Sequence, residues 1–542
     1  MFPVTRPFLL LLGLTLGGAR PALAAEPAHP ATPPRVTNPE PARPIPPGPF
    51  EPTWDSVRAH YQVPEWFLDA KFGIFLHWGV YAVAARQSEW YPRHMYSNPG
   101  VSDWHRTQFG PQDRFGYKDL IPLFKAERFD PQVWAALFKQ AGAKYVVPVA
   151  EHHDGFAMWD SALTKWNAKQ MGPHRDIIGE LAAATRAQGL KFGVSYHRIE
   201  NWSFMYPALD QPNDLFDPAF ADFYGPPQPP PAHDGAPGPT EVMDGRVTPQ
   251  SPAFLEEWLR RGQELIDKYE PDLIYFDNGV NGRGLDPIKL RFAAYYYNSA
   301  AARGQGVTLA TKGGQAKDGP AYLAGSVLDF ERGHPADILA GPWQTDNSVH
   351  SRWGYLEDTL YRGVGTLVRE LIDSVSKGGN LLLNFSPRAD GTFPDEQVAI
   401  LRGMGRWLDV NGEAIYGTRP WTRYGEGPTG LGNPGKLDEK ARILREAVGD
   451  GAAPNYTGRD FRFTKKAGAL YAIVMRWPAT GEALITTLAT GPGATARVEH
   501  VELLGSGPIS FTQDAAGLHL ALPATAPCDH ACVFKLTGQN LP

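Results

Sequence analysis

From about Trp54 to Asn411 the apolar residues fall into two alternating rhythms. Short β-rich runs occupy Gly73–His77, Tyr145–Ala150, Lys191–Tyr196, Asp272–Asp277, Val307–Thr311, Val327–Glu331 and Asn380–Phe385. Between them, Pro131–Gly142, Asp176–Gly189, Pro252–Tyr269 and Tyr361–Ser376 carry apolar positions three and four apart, the spacing of amphipathic helices. The helix ends agree with this reading. Asp130-Pro131 sets a cap before a first-turn proline, and Gly142, Gly189 and Gly378 stand where helices should stop. Strand–helix alternation over about 350 residues predicts a parallel sheet, and a closed (β/α)8-like (TIM) barrel is the usual solution at that size. A doubly wound open sheet is the runner-up, but no GxGxxG follows the first strand and no Walker motif occurs. The eighth strand of the barrel has no clear place in the pattern.

Beyond the barrel, expected over 53–420, the rhythm changes. After Trp421 a polar helical stretch, Asp438–Glu446, precedes strand-like runs at Leu470–Met475, Ala483–Leu488, Val498–Leu504 and Leu518–Leu522. Short strands so closely spaced predict a C-terminal β-sandwich domain over 421–542. Within the barrel, residues 206–250 are rich in Pro, Gly and Asp, too long for an ordinary connection, and follow a strand end where functional loops sit.

The N-terminus reads as a targeting segment. Arg6, the apolar run Phe8–Leu16 and Ala22-Leu23-Ala24 give the order of a secretory signal peptide, expected over 1–24. The Pro-rich stretch 25–52 cannot bury enough apolar surface to fold alone and reads as an extended tether. A secreted or periplasmic protein follows. Among 542 residues, 52 basic against 58 acidic side chains give a net charge of −6, which carries no nucleic-acid footprint. No run is long and apolar enough for an integral membrane segment once the signal is removed. The only cysteines, Cys528 and Cys532, leave open a local disulfide, the favoured state, or two free thiols. The sequence leaves the oligomeric state unknown.

Chemistry concentrates where a barrel keeps it, at the C-terminal ends of strands. These ends read Phe75-Leu76-His77-Trp78-Gly79, Glu151-His152-His153-Asp154-Gly155-Phe156, Ser195-Tyr196-His197, Tyr275-Phe276-Asp277-Asn278-Gly279 and Asp329-Phe330-Glu331-Arg332-Gly333. Passive loop starts would favour Gly, Asn and Ser. Metal chemistry is disfavoured: His152 and His153 should point to opposite sides of an extended chain, and no HExxH or CxxC accompanies them. No GxSxG elbow is present. Aromatic rings beside His and carboxylates suit a neutral, hydroxylated ligand, with rings against C–H faces and polar groups on hydroxyls. Two carboxylates on different strands can serve glycoside hydrolysis. Asp277 ends an apolar strand on the same face as Leu273 and Tyr275. Glu331 ends a later strand, with Asp329 on the same face as its nearest rival for acid/base.

The segment Lys71-Phe72-Gly73-Ile74-Phe75-Leu76-His77-Trp78-Gly79, then Ser88-Glu89-Trp90-Tyr91, closely resembles the α-L-fucosidases of glycoside hydrolase family 29. So do the block from Ala143 through His152-His153-Asp154-Gly155-Phe156 to Trp159, Arg175-Asp176-Ile177, the strand Asp272–Gly279 and Asn411-Gly412-Glu413-Ala414-Ile415-Tyr416. The resemblance implies an exo-acting, retaining hydrolase that needs no cofactor and no metal. Its substrate would be a fucosylated oligosaccharide or glycoconjugate. Asp277 would be the nucleophile and Glu331 the acid/base, a role whose position varies within the family. The sugar would be held by His77, Glu89, Trp90, His152, His153 and Tyr196, with Tyr275 where relatives often have Trp. Two positions depart from the family pattern: Lys312 stands where an Arg is common, and Ser195-Tyr196-His197 replaces Tyr-Tyr-Ser. The competing readings are a glycosidase for α-L-galactosides and a non-catalytic carbohydrate-binding protein.

Overall fold

The computed structural model describes residues 41–205, 209–225, 250–277, 280, 283–312, 325–429 and 455–541. The signal segment 1–24, the helical stretch Asp438–Glu446 and most of the 206–250 insertion lie outside them. Eight parallel strands close into a barrel in sequence order: β1 Phe72–Leu76, β2 Tyr145–Glu151, β3 Lys191–Tyr196, β4 Leu273–Phe276, β5 Thr308–Lys312, β6 Ser326–Glu331, β7 Trp343–Ser348 and β8 Asn380–Phe385. The strand missing from the sequence pattern is β7. Its run Gln344-Thr345-Asp346-Asn347-Ser348 has no apolar face, yet every residue in it is buried. The helices Pro131–Gln140, Ile177–Ala187, Pro252–Tyr269, Asp286–Ala302 and Val364–Ser376 pack outside. Residues 332–342, between β6 and β7, form no helix.

Strand parity decides what enters the barrel, because alternate side chains face opposite sides. Phe72, Ile74 and Leu76 of β1 join the outer core under the helices, whereas Phe75 joins the inner cluster with Tyr145, Val147, Leu273, Tyr275 and Leu382. Gly73 is required there: a Cβ would sit 2.3 Å from the Tyr145 ring that fills the barrel base. On the same parity, His77, Ser195, His197, Asp277, Lys312, Asp329, Glu331, Asp346 and Asn384 are the inward positions near the C-terminal rim. The apolar inner layers thus support a polar top layer, which is where barrel chemistry resides.

The N-terminal stretch is not a free tether over its whole length. From residue 41 it lies along two barrel helices. Ala42 N donates to Glu256 Oε1 (2.7 Å), and Asn298 donates to the Pro46 and Phe50 carbonyls at 2.9 and 2.8 Å. A proline-rich segment offers few donors but many carbonyls, and Asn298 supplies what those carbonyls lack.

Past the barrel, β9 Arg419–Glu426, β10 Phe461–Lys466, β11 Ala469–Val474, β13 Arg497–Leu503, β14 Gly507–Pro508 and β17 Cys532–Gln539 form one antiparallel sheet. A second sheet holds β12 Glu482–Ile485, β15 Phe511–Gln513 and β16 Leu518–Ala521. Phe461, Phe463, Leu470 and Phe534 of the first share a core with Ile485, Leu518 and Leu520 of the second. The other face of the large sheet, including Tyr471, Ile473 and Val533, packs against the barrel. There Arg462 Nε donates to Asp373 Oδ1 at 2.6 Å with both side chains buried, and Trp407 Nε1 donates to the Ala531 carbonyl at 2.8 Å. The favoured disulfide is not formed: the Cys528 and Cys532 sulfurs stand 3.6 Å apart as free thiols.

Candidate active site

An open-mouthed cavity of about 140 Å³ lies at the C-terminal rim of the barrel. Among the described residues its lining comes entirely from 75–353, so the sandwich braces the barrel without entering the site. Phe75 and Tyr275 form the floor, their rings edge to face with centroids 5.1 Å apart. Trp90 and Trp353 supply the large walls. The mix of ring faces with a few polar groups suits a small hydroxylated ligand.

Asp277 stands one residue past β4 and is nearly buried. Its Oδ1 lies 2.6 Å from Lys312 Nζ, and its Oδ2 lies 3.4 Å from His197 Nδ1 and 3.6 Å from His153 Nε2. Burial alone would push this carboxyl up, but Lys312, then His197 and His153, more than offset it and hold the group far below the usual carboxylate range. A carboxyl held so low is ionised at working pH, as a nucleophile must be.

Glu331 ends β6, and its side chain is 40% exposed toward the mouth of the cavity. Its Oε2 accepts from the same Lys312 ammonium at 2.7 Å. Because one nitrogen touches both carboxylates, Asp277 Oδ1 and Glu331 Oε2 can be no farther apart than those two contacts laid end to end, 5.3 Å. Asp329, the rival acid/base, lies one layer deeper and does not line the cavity. It is fully buried, accepts from Gln344 Nε2 at 2.8 Å and Tyr275 OH at 3.3 Å, and neighbours Asp346. Burial and the adjacent Asp346 raise Asp329 well above the usual range, while Asp346 is pushed up to about 6, first by burial. The two carboxyls, Asp346 at the cavity wall and Asp329 beneath it, therefore retain a proton between them.

The histidines divide by environment. The Asn384 amide nitrogen donates to the Trp353 carbonyl (2.7 Å), which turns its oxygen to His77 Nδ1 at 2.8 Å. Nδ1 then carries the proton and Nε2 is left as an acceptor for a ligand hydroxyl. Burial holds His77 down at about 3, so it stays neutral. His152 is held low by burial and then by the neighbouring His153, and its Nδ1 has no partner among the described residues. His153 behaves differently. Burial opposes its charge, but Glu200, 2.9 Å from Nδ1, outweighs this and raises its pKa. The expectation that His152 and His153 point to opposite sides fails, because β2 ends at Glu151 and the chain turns. Both rings reach the cavity with centroids 4.0 Å apart.

Glu89 follows two residues in left-handed backbone, Gln87 (φ +56°) and Ser88 (φ +62°). Such strain is costly and persists where surrounding contacts dictate it. Here Ser88 Oγ and Gly354 N both bond Glu89 Oε2, the latter at 2.9 Å, which aims the carboxylate into the cavity. A Cβ at Gly354 would meet the Tyr81 ring at 2.9 Å, so this close approach needs glycine.

Of the expected site residues, the structure gathers Asp277, Glu331, His77, Glu89, Trp90, His152, His153 and Tyr275 around one cavity. It does not include Tyr196. On β3, Phe192, Val194 and Tyr196 face the outer core; the Tyr196 ring stacks on Trp258 and its hydroxyl donates to the Trp258 carbonyl at 2.8 Å. The inward residue is His197, whose ring the Ser195 hydroxyl meets. Lys312, Asp346, Phe75 and Trp353 also line the cavity without having been singled out as contacts. A period-two polar face, Gln344, Asp346 and Ser348, was the available signal for β7.

Ring nitrogens of His77, His152 and His197 lie within 4.8 Å of one another, as do the ligand atoms of His153, His197 and Asp277. Those spacings would accept a cation. In the second group His153 Nδ1 faces Glu200 and Asp277 has the Lys312 ammonium; in the first, His77 Nδ1 faces Asn384, which leaves Nε2 toward the cavity. We assign no metal to them.

A barrel with paired carboxylates amid histidine and tryptophan at its C-terminal rim defines a glycoside hydrolase. The α-L-fucosidase family model matches residues 41–413, and the α-L-fucosidase C-terminal domain model matches 455–537. Tissue α-L-fucosidase of Bos taurus is 30% identical over 98% of this chain and 97% of its own length. Plasma α-L-fucosidase of Homo sapiens is 31% identical over 90% of this chain and 92% of its own. The Thermotoga maritima α-fucosidase, solved with a mechanism-based inhibitor, superposes with TM-score 0.69 at 26% identity, covering 90% of this chain and all of that one. The chain belongs to the α-L-fucosidase family, and its enzymatic activity is α-L-fucoside hydrolysis.

The position of Tyr196 has a measurable consequence. Tyr196→Phe should leave KM for an aryl α-L-fucoside unchanged. It removes one buried hydrogen bond while the helix still pairs the Trp258 carbonyl, so unfolding by denaturant should show a loss of about 0.5–1.5 kcal/mol. A raised KM with unchanged stability would return Tyr196 to the sugar site.

Proposed function

We propose that this α-L-fucosidase is exo-acting and retaining, with Asp277 as nucleophile and Glu331 as acid/base. The supporting observation is the shared Lys312 ammonium, which bounds the separation of the two carboxylate oxygens at 5.3 Å. Retaining enzymes place their carboxyls about 5–5.5 Å apart, whereas inverting ones leave a wider gap for water. Asp277 attacks the anomeric carbon while Glu331 delivers its proton to the departing glycosidic oxygen. Water, losing a proton to Glu331, then attacks the same carbon and the bond to Asp277 breaks. Glu331 sits toward the mouth, where a leaving group departs, and Asp277 deeper.

Binding follows from the donors. His77 Nε2 accepts from a hydroxyl, Glu89 accepts from one or two more, and His153 donates. Phe75, Trp90 and Trp353 offer ring faces to the C–H edge and the C5 methyl of a 6-deoxy sugar. A floor closed by Phe75 and Tyr275 favours a terminal residue over an internal one, hence terminal α-L-fucose on an oligosaccharide or glycoconjugate. The protein is exported to the periplasm or secreted, a reading that rests on the N-terminal order of charge, apolar run and Ala22-Leu23-Ala24. No helix among the described residues is long and apolar enough to cross a membrane.

Proton NMR during hydrolysis of an aryl α-L-fucoside tests the mechanism. The first sugar released should be α-L-fucose, with the β anomer appearing only by mutarotation. Release of β-L-fucose first would mean inversion.

A further inference from the structure

One carboxylate must change character in the proposed cycle: Glu331 begins as an acid and must become a base. The ammonium touching both Asp277 and Glu331, at 2.6 Å and 2.7 Å, is unusually placed for this. We propose that Lys312 is the positioning residue that converts Glu331 from acid to base, by transferring its electrostatic attention from Asp277 to Glu331 once Asp277 is esterified.

The argument rests on the two-carboxylate reading above and on charge balance. In the free enzyme Lys312 is nearly buried and divides its charge between Asp277 and Glu331, with Asp346 Oδ2 at 3.8 Å. Burial disfavours the ammonium, but Asp277, Glu331 and Asp346 together keep it charged. While Asp277 is anionic it cancels much of the ammonium's field at Glu331. In the first step an Asp277 oxygen bonds to the anomeric carbon, and the carbon–oxygen bond to the aglycone breaks. That electron pair takes the Glu331 proton. Asp277 is now a neutral ester and Lys312 has lost its nearest counter-charge. Its attraction for Glu331 is no longer offset, which favours the carboxylate form of Glu331 just when water must lose a proton to it. When water adds and the ester bond breaks, its electron pair returns to Asp277 and the arrangement resets.

Other charges face Glu331 but do not change during the cycle. Asp346 stands on β7, sharing its proton with Asp329; Tyr275 stands on β4; His153 and His197 line the far wall. Arg332, next along the chain, turns onto the Trp353 ring at 4.4 Å. Among the described residues, Lys312 is the one whose ion pairs reach both carboxylates proposed to react.

The test compares wild type, Lys312→Met and Lys312→Arg on an aryl α-L-fucoside with an activated leaving group. Such a substrate needs little acid assistance, so kcat reports the second step. Thermal midpoints show that each variant is folded. For Lys312→Met the pre-steady-state burst of phenol should persist, and kcat at neutral pH should fall at least about tenfold, within the range of a lost proton transfer. The acidic limb of kcat should move up by about a pH unit. Azide, a nucleophile with no proton to lose, should restore turnover. Lys312→Arg should recover the wild-type limb. Loss of the burst, an unshifted limb, or no acceleration by azide would overturn the proposal, confining Lys312 to holding Asp277. If wild type itself shows no burst and releases β-L-fucose first, the two-step reading has failed, independently of Lys312.

Discussion

Asp277→Ala should lower kcat on an aryl α-L-fucoside by about 10⁴-fold or more, because the carboxylate proposed to form the intermediate is gone. The three cations and rings that converge on it, Lys312, His153 and His197, remain, so sugar binding should survive and KM should change little. The fold should survive too, since Lys312 keeps Glu331 and Asp346 as counter-charges. Added azide can enter the space vacated by the carboxylate and attack the anomeric carbon directly. With an activated fucoside it should yield β-L-fucosyl azide, the inverted product. An Asp277→Ala enzyme with residual activity within tenfold of wild type would remove Asp277 from the role of nucleophile.

Glu331→Ala should separate the two steps. On substrates with poor leaving groups, where proton delivery limits the rate, kcat/KM should fall about 10²–10⁴-fold, the usual worth of a positioned acid/base. On an activated aryl fucoside the first step should be nearly spared and the fucosyl-enzyme should accumulate, giving a burst and a lowered KM. Azide should then accelerate turnover and give α-L-fucosyl azide, with configuration retained because two inversions have occurred. The opposite configurations expected from the two variants discriminate the roles sharply. Wild-type behaviour of Glu331→Ala would place the acid/base elsewhere. Asp329 is then a poor substitute, since it lies beneath the cavity with its oxygens given to Gln344 and Tyr275.

Much of the site was legible because strand ends in a barrel are short, local signals. His77, Asp277 and Glu331 each follow an apolar run with fixed parity, and residue spacing alone assigns them to the inside. The same parity rule also condemns Tyr196: Phe192, Val194 and Tyr196 form the apolar face, while Gly193, Ser195 and His197 form the other. The resemblance to relatives outweighed it. β7 escaped because Gln344, Asp346 and Ser348 are polar and buried together, so burial there leaves no hydrophobic pattern to read. His152 and His153 were misjudged because a strand was extended past Glu151, where the chain turns.

By itself the sequence determined the barrel, the strand ends that bear the chemistry, the family and the two carboxylates proposed to react, since all of these depend on periodicity and local order. Only the tertiary structure decided which charges meet. Lys312 is 35 positions from Asp277 and 19 from Glu331 along the chain, yet barrel closure puts one nitrogen on both. Glu200 reaches His153 through a turn after β3, and the Asp329–Asp346 pair forms across neighbouring strands. Coulomb interactions depend on distance through space, and distance along the chain does not report it.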